Sequence, residues 1–223
     1  MSNYTKIPKI IHQIWIGYQE MPELYQEFTK QMKEMHPDWE YKLWTHDEVF
    51  NNVYKDDPFL QEYVTKPDVY RWAFISDRIR LLILRDYGGI YCDVDAKPIR
   101  PFDIILEKLN PTHTFFTGLK PLMLNNQECD CNINATIFDC TVYGSAPGSR
   151  AIMSFLEEYT DLYWAHGCKT FSDKLIMEMD TDIACFGHKY FYDNKITDST
   201  IVLHDVEDRM LSWITDENKS VPW

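Results

Sequence analysis

The chain has 223 residues, 45% of them hydrophobic, enough to bury a sizeable core, and residues 1–223 are expected to form one undivided domain. A formal net charge of −13 and a pI near 4.9 argue against surfaces for nucleic acid or anionic membranes, which need basic patches. A phosphate-bearing ligand would therefore have to meet a local cation or a metal.

Taken from the start, residues 1–6 lack the charged, apolar and small-residue order of a signal peptide, and no window of about 20 apolar residues follows anywhere, so a soluble, cytoplasmic protein is expected. Residues 7–17, IPKIIHQIWIG, are an apolar run between Pro8 and Gly17 with the length of a buried first strand. On burial statistics its Trp15 reads as a core residue rather than a ligand platform, while His12 and Gln13 read as structural. Residues 21–36 predict an amphipathic helix opened by Pro22 and closed before Pro37. A second strand follows at Tyr41–Trp44, and Thr45 with Glu48 spells a capping box that starts another helix. This strand and helix alternation predicts an α/β fold with a mostly parallel central sheet and helices on both faces.

The centre of the chain is SDRIRLLILRDYGGIYCDVDAKPIRPFD, residues 76–103. Apolar residues at 69, 72, 73, 79, 82 and 83 recur at helical spacing, which predicts a helix over about 67–87, started by Thr65, Pro67 and Asp68. Gly88-Gly89 permits positive φ and stops it. Asp77 and Arg80, at i and i+3, share one helix face. The strand Ile90–Cys92 then leads into Asp93-Val94-Asp95. Continued strand alternation would point both acids one way, at the strand's carboxyl end, where open α/β sheets place ligands. Two carboxylates so presented form a hard-oxygen half-site for Mn²⁺ or Mg²⁺ whose remaining ligands can be phosphate oxygens.

Beyond Asp95, Pro98 and Pro101 impose an extended connection and Asp103 begins a short helix. Residues 113–119 are strand-like, 120–134 carry no clear period and read as a loop over the site, and 133–143 read as a further strand. A helix is expected over about 147–159, and a last strand over Thr200–His204. Asn134 leads its strand, where a contact to a ligand hydroxyl and a bond to backbone are both open. The six cysteines (Cys92, Cys129, Cys131, Cys140, Cys168 and Cys185) form no Cys-x-x-Cys pair, and reduced thiols are expected even at Cys129-Asp130-Cys131.

The stretch at 76–103, together with IPKIIHQIWIG and the late His204…Ser212-Trp213, resembles glycosyltransferase family 32, which includes the yeast-type α-mannosyltransferases, and more distantly the clostridial glucosylating toxins. The resemblance implies a GT-A type fold with Asp-x-Asp at a strand end and a nucleotide-sugar donor. It also implies roles: Asp93, Asp95 and His204 as metal ligands; Asp77 and Arg80 on donor hydroxyls and in catalysis with Asp95; Trp15 stacked on the base. Tyr91, Asn134, Ser212 and Trp213 join the donor contacts. The Cys168–Asp173 segment departs from the Gly-Pro-rich sequence usual at that place in the family. Eukaryotic members usually carry a Golgi membrane anchor; its absence here makes a viral, bacterial or effector context equally open.

The chemistry so implied is transfer of a hexose from a UDP- or GDP-sugar to a glycan acceptor, with retention. Three alternatives stand beside it: transfer to a protein side chain in toxin fashion, a Ca²⁺-dependent carbohydrate-binding module, and a hydrolase. The last is opposed by geometry, since acids at i and i+2 of a strand lie about 7 Å apart and face one way, so they cannot flank a sugar.

Overall fold

A computed structural model describes residues 6–17, 19–66, 71–120, 123–124, 127–128, 137–158, 182–191 and 196–203. Strand β1 (Ile10–Trp15) is followed by helix α1 (Glu23–Met35) and strand β2 (Glu40–Thr45), as the periodicity predicts. The capping box is present: the Thr45 N–H donates to Glu48 Oε2 at 3.0 Å and the Glu48 N–H to Thr45 Oγ1 at 3.4 Å. The helix it opens is a wide π-type turn over Glu48–Val53, closed by the Tyr54 N–H on the Val49 carbonyl.

Helix α2 (Pro58–Tyr63) comes next, capped by Asp57 Oδ1 on the Leu60 N–H with proline at its first position. Asp57 Oδ2 also accepts from Arg78 at 3.0 Å, tying α2 to helix α3 (Arg71–Tyr87). Thr65, expected to cap α3, instead donates its hydroxyl to the Glu62 carbonyl and finishes α2; Pro67 and Asp68 lie outside the described residues.

The stop after α3 depends on both glycines, with φ of +64° at Gly88 and +96° at Gly89. A β-carbon on Gly89 would lie 2.6 Å from the Ile10 carbonyl oxygen, so strand β3 (Gly89–Cys92) reaches β1 only through a residue without a side chain. Strand β4 (Lys97–Pro98) and helix α4 (Asp103–Leu106) follow. Asp103 does not cap α4: its carboxylate takes the Lys9 ammonium at 2.6 Å and the Trp39 indole N–H at 3.0 Å. Within the predicted loop at 120–134, strands β6 (Met123–Leu124) and β7 (Gln127–Glu128) pair as a hairpin. They lie between β5 (Phe115–Lys120) and β8 (Ile137–Ser145); α5 (Arg150–Glu158), β9 (Ile183–Phe186) and β10 (Val202–Leu203) complete the order.

Six strands form the main sheet in the order β2-β1-β3-β8-β5-β9. β8 is antiparallel to both neighbours and the other pairings are parallel. One face buries Ile14, Trp44, Tyr91, Phe115 and Tyr143 against α2, α3 and α5; the other buries Ile11, Ile90, Cys92 and Phe116 with Met32 of α1 and Ile105 of α4. Ile11 and Ile14, or Ile90 and Tyr91, divide between the faces as strand alternation requires. This is the α/β sheet expected of a GT-A fold. No helix among the described residues is long and apolar enough to cross a membrane.

Candidate active site

From β1 the chain moves outward to β2, and β3 is then laid on β1's other side. The carboxyl ends of β1 and β3 therefore flank a crevice where strand order reverses, the place where open α/β sheets bind ligands. Trp15 ends β1 and Asp93 follows β3, so both predicted ligand-contacting residues stand at this crevice.

The acids are not on a strand. β3 ends at Cys92, and Asp93–Ala96 form a turn closed by the Ala96 N–H on the Asp93 carbonyl at 3.3 Å. The alternation argument for Asp93 and Asp95 therefore fails, because pairing stops one residue before the first acid. Val94, between them, is buried against Tyr25 and Phe28 of α1, which anchors the turn's middle and leaves both acids half-buried at its sides.

α3 supplies a buried cation. Arg80, 8% exposed, lies 2.5 Å from the Asp77 carboxylate and 3.8 Å from Asp93 Oδ1. Its guanidinium sits 4.7 Å from the centre of the Tyr91 ring, and Nε reaches the Ser76 carbonyl at 3.4 Å. Tyr91 is 2% exposed and donates its hydroxyl to Asp93 Oδ1 at 2.5 Å. Within the protein this hydroxyl serves the first acid's carboxylate.

Electrostatics follow from burial. Burial opposes charge on Arg80, but Asp77, Tyr91 and Asp93 outweigh it and hold the guanidinium charged well above its ordinary range. Burial raises the Asp77 carboxyl while Arg80 pulls it down. The net shift of the Asp77 carboxyl is upward, burial outweighing the pull of Arg80. Burial, chiefly, keeps the Tyr91 phenol protonated far above its usual range, so it remains a donor to Asp93.

Trp15 is half-buried. Its indole N–H donates to the Gln19 carbonyl at 2.9 Å, and its ring packs edge-on to Tyr25, 6.3 Å between centres, in the cluster that holds Val94. His12 is structural, as expected: its Nδ1 accepts from the Trp44 indole at 3.1 Å, so Nε2 carries the proton and donates to the Gly88 carbonyl at 2.8 Å. Burial lowers its pKa to about 4.

Asn134, His204, Ser212 and Trp213 lie outside the described residues. Among the described residues no group of three or more His, Cys, Asp or Glu side chains could hold a metal. The two acids of the turn still fit a hard divalent ion: they are anionic oxygen donors, half-exposed at a ligand crevice, and need oxygens from phosphate to complete a shell. Gln13, read from the sequence as structural, is buried and donates its amide to the Asp93 carbonyl at 3.2 Å, a partner that no local signal marks across 80 residues.

The sheet and crevice define a glycosyltransferase fold of the GT-A type. Residues 22–116 match the family described as glycosyltransferase sugar-binding region containing DXD motif. The chain is 40% identical over 102 residues to inositol phosphoceramide mannosyltransferase 3 of Schizosaccharomyces pombe, covering 45% of this chain and 27% of that protein. It is 33% identical over 113 residues to mannosyl phosphorylinositol ceramide synthase SUR1 of Saccharomyces cerevisiae, covering 47% and 28%. Among solved structures, PaToxG glycosyltransferase superposes with a TM-score of 0.53 at 21% identity, covering 78% of this chain and 70% of that one. These matches bear out the resemblance to the family 32 sugar transferases read from residues 76–103. The matched region spans a little over a quarter of the length of the two yeast relatives.

Proposed function

We propose that this chain, as one domain over residues 1–223, is a metal-dependent glycosyltransferase that moves a hexose from a nucleotide-diphosphate sugar to a glycan-type acceptor with retention. One observation carries the reading: a buried guanidinium, Arg80, links Asp77 of α3 to Asp93 of the Asp93-Val94-Asp95 turn at the switch-point crevice, inside the matched sugar-binding region. A carbohydrate-binding module would have no use for such a buried pair behind its ligands.

Breaking the bond between sugar and phosphate leaves negative charge on the diphosphate and positive charge on the anomeric carbon. A Mn²⁺ or Mg²⁺ ion bound by Asp93, Asp95 and His204 would supply Lewis-acid stabilisation to the departing diphosphate. The His204 assignment is supported by register: Leu203, the residue before it, pairs with Lys97, two residues past Asp95. Asp77 and Arg80 hold donor hydroxyls and so orient the anomeric carbon toward the acceptor. Tyr91 contributes by holding Asp93 Oδ1, which orients that carboxylate. Trp15 offers its half-buried ring to the base, Asn134 meets a sugar hydroxyl, and Ser212-Trp213 close over the donor. The names of the yeast relatives make mannose the first donor sugar to test and inositol phosphoceramide an acceptor to test beside free glycans.

The test is Mn²⁺-dependent release of UDP or GDP from a panel of nucleotide sugars without acceptor. One donor is expected to be hydrolysed slowly, with at least about a hundredfold loss in Asp95→Asn, because a charged ligand is removed. His204→Ala should raise the Mn²⁺ concentration required. Full activity in Asp95→Asn would remove the metal assignment, and absence of any nucleotide binding would turn the reading toward a carbohydrate-binding module.

A further inference from the structure

The crevice between β1 and β3 is bridged by a side chain. Backbone pairing between these strands covers Ile11 with Ile90 and His12 with Tyr91. On its other side β3 remains paired further: Cys92 lies opposite Val142, and the Asp93 N–H donates to the Thr141 carbonyl at 3.0 Å. The Asp93 peptide is thus held by β8 through its N–H, while its carbonyl faces the crevice beyond the end of the β1 ladder.

Gln13 occupies that place. It is fully buried on β1, and its Nε2 donates to the Asp93 carbonyl at 3.2 Å. The same carbonyl closes the turn by accepting the Ala96 N–H at 3.3 Å and takes the weaker Cys92 thiol at 3.5 Å, and Gln13 is its donor from the β1 side. A carbonyl can only accept, which fixes the amide's orientation and turns Oε1 toward β2. There Oε1 accepts the Tyr41 hydroxyl at 2.7 Å. The Tyr41 phenol is pushed well above its usual range by burial, so it stays a donor. A relay of two hydrogen bonds therefore runs across β2, β1 and β3 and ends on the backbone of the first acid.

Resting on the metal-dependent reading above, we infer that Gln13, oriented by Tyr41, is a positioning residue that presets the Asp93-Val94-Asp95 turn for the divalent cation. Neither residue touches substrate. Gln13 acts as a side-chain rung in place of the missing ladder bond, and without it the Asp93 carbonyl loses its partner on the β1 side. The turn then rotates more freely, and the carboxylates must be ordered when the cation binds. Loss of such supporting hydrogen bonds typically lowers metal affinity about 10- to 100-fold.

The test titrates Mn²⁺ against the full chain with GDP or UDP present, following free ion by electron paramagnetic resonance. Gln13→Met keeps length and removes both hydrogen bonds; Tyr41→Phe keeps the ring and removes only the donor that orients the amide. Gln13→Met is expected to weaken Mn²⁺ binding about tenfold or more, and Tyr41→Phe about threefold in the same direction. Ile152→Val, in α5 on the far side of the sheet, controls for general destabilisation and should leave affinity unchanged even where its Tm falls equally. If Gln13→Met does not fold, Tyr41→Phe carries the test. Wild-type affinity in both variants, with binding lost in Asp95→Asn, would overturn the inference while leaving the metal site intact. Wild-type protein that binds no Mn²⁺ with either nucleotide would overturn the metal-dependent reading and this inference with it.

Discussion

Arg80→Met isolates the charge network behind the crevice. The Arg80 and Asp77 side chains are 10% and 18% accessible, so solvent screens the pair little. Methionine fills much of the same volume, so the packing loss is small. What remains is an Asp77 carboxylate buried without its cation and an Asp93 with one acid-facing charge removed. Breaking a buried ion pair from one side costs about 3–5 kcal/mol, and that is the expected loss in urea unfolding at pH 7. Asp77→Leu alone should cost a similar amount, whereas Asp77→Leu with Arg80→Met should cost much less than the sum, since replacing both ions by apolar groups is often close to neutral. The coupling, the summed single losses less the loss in the double variant, is therefore expected to exceed about 3 kcal/mol. A loss under about 1 kcal/mol for Arg80→Met, or simple additivity, would refute the view that Arg80 neutralises buried acid. Donor turnover should be lost in every one of these variants, so stability and activity separate the network's two roles.

His12 makes stability fall in acid. Its folded pKa of about 4 lies below the unfolded 6.5, so the unfolded chain takes up a proton that the folded one refuses. The stabilisation is complete above pH 6.5 and is lost as pH falls toward 4, about 2–3 kcal/mol between pH 7 and pH 4.5; burial shifts His36 and His46 in the same direction. Unfolding free energies that do not change across this window would contradict the neutral, doubly bonded imidazole. Gly89→Ala should cost about 2 kcal/mol for positive φ and more for the approach to Ile10, read as a fall in Tm; a wild-type Tm would show that β3 can move away from β1. Trp15→Ala should weaken nucleotide binding about tenfold, with a small stability cost because the ring is half-exposed; a large stability loss at unchanged affinity would make Trp15 a packing residue.

Much of the fold was legible because its signals are local. The apolar period of α3, the Thr45 and Glu48 capping box and the Gly88-Gly89 stop each act within a few residues, and each appears where the sequence puts it. The Asp57-Pro58 start of α2 was equally local but passed unread, because six residues are too few to show a helical period. For the candidate site, Asp77 and Arg80 one turn apart and the paired acids could be named from the sequence alone, and the structure brings Arg80 to both Asp77 and Asp93.

What the sequence by itself determined is therefore the set of elements and the residue types gathered near the glycine stop, since helix period, capping and turn chemistry are short-range. Tertiary structure alone decided the rest. The reversal of β8, and the placing of β3 beside β1 to open the crevice, follow from which edges and faces find each other across the whole chain. That Asp93 and Asp95 stand on a turn is settled by where the ladder between β3 and β8 ends, at Cys92 opposite Val142, and that Tyr91 serves Asp93 is settled by its burial under Arg80. The Tyr41–Gln13–Asp93 relay joins residues 28 and 80 positions apart, a relation that no local pattern encodes because only the assembled sheet brings those groups within hydrogen-bonding distance.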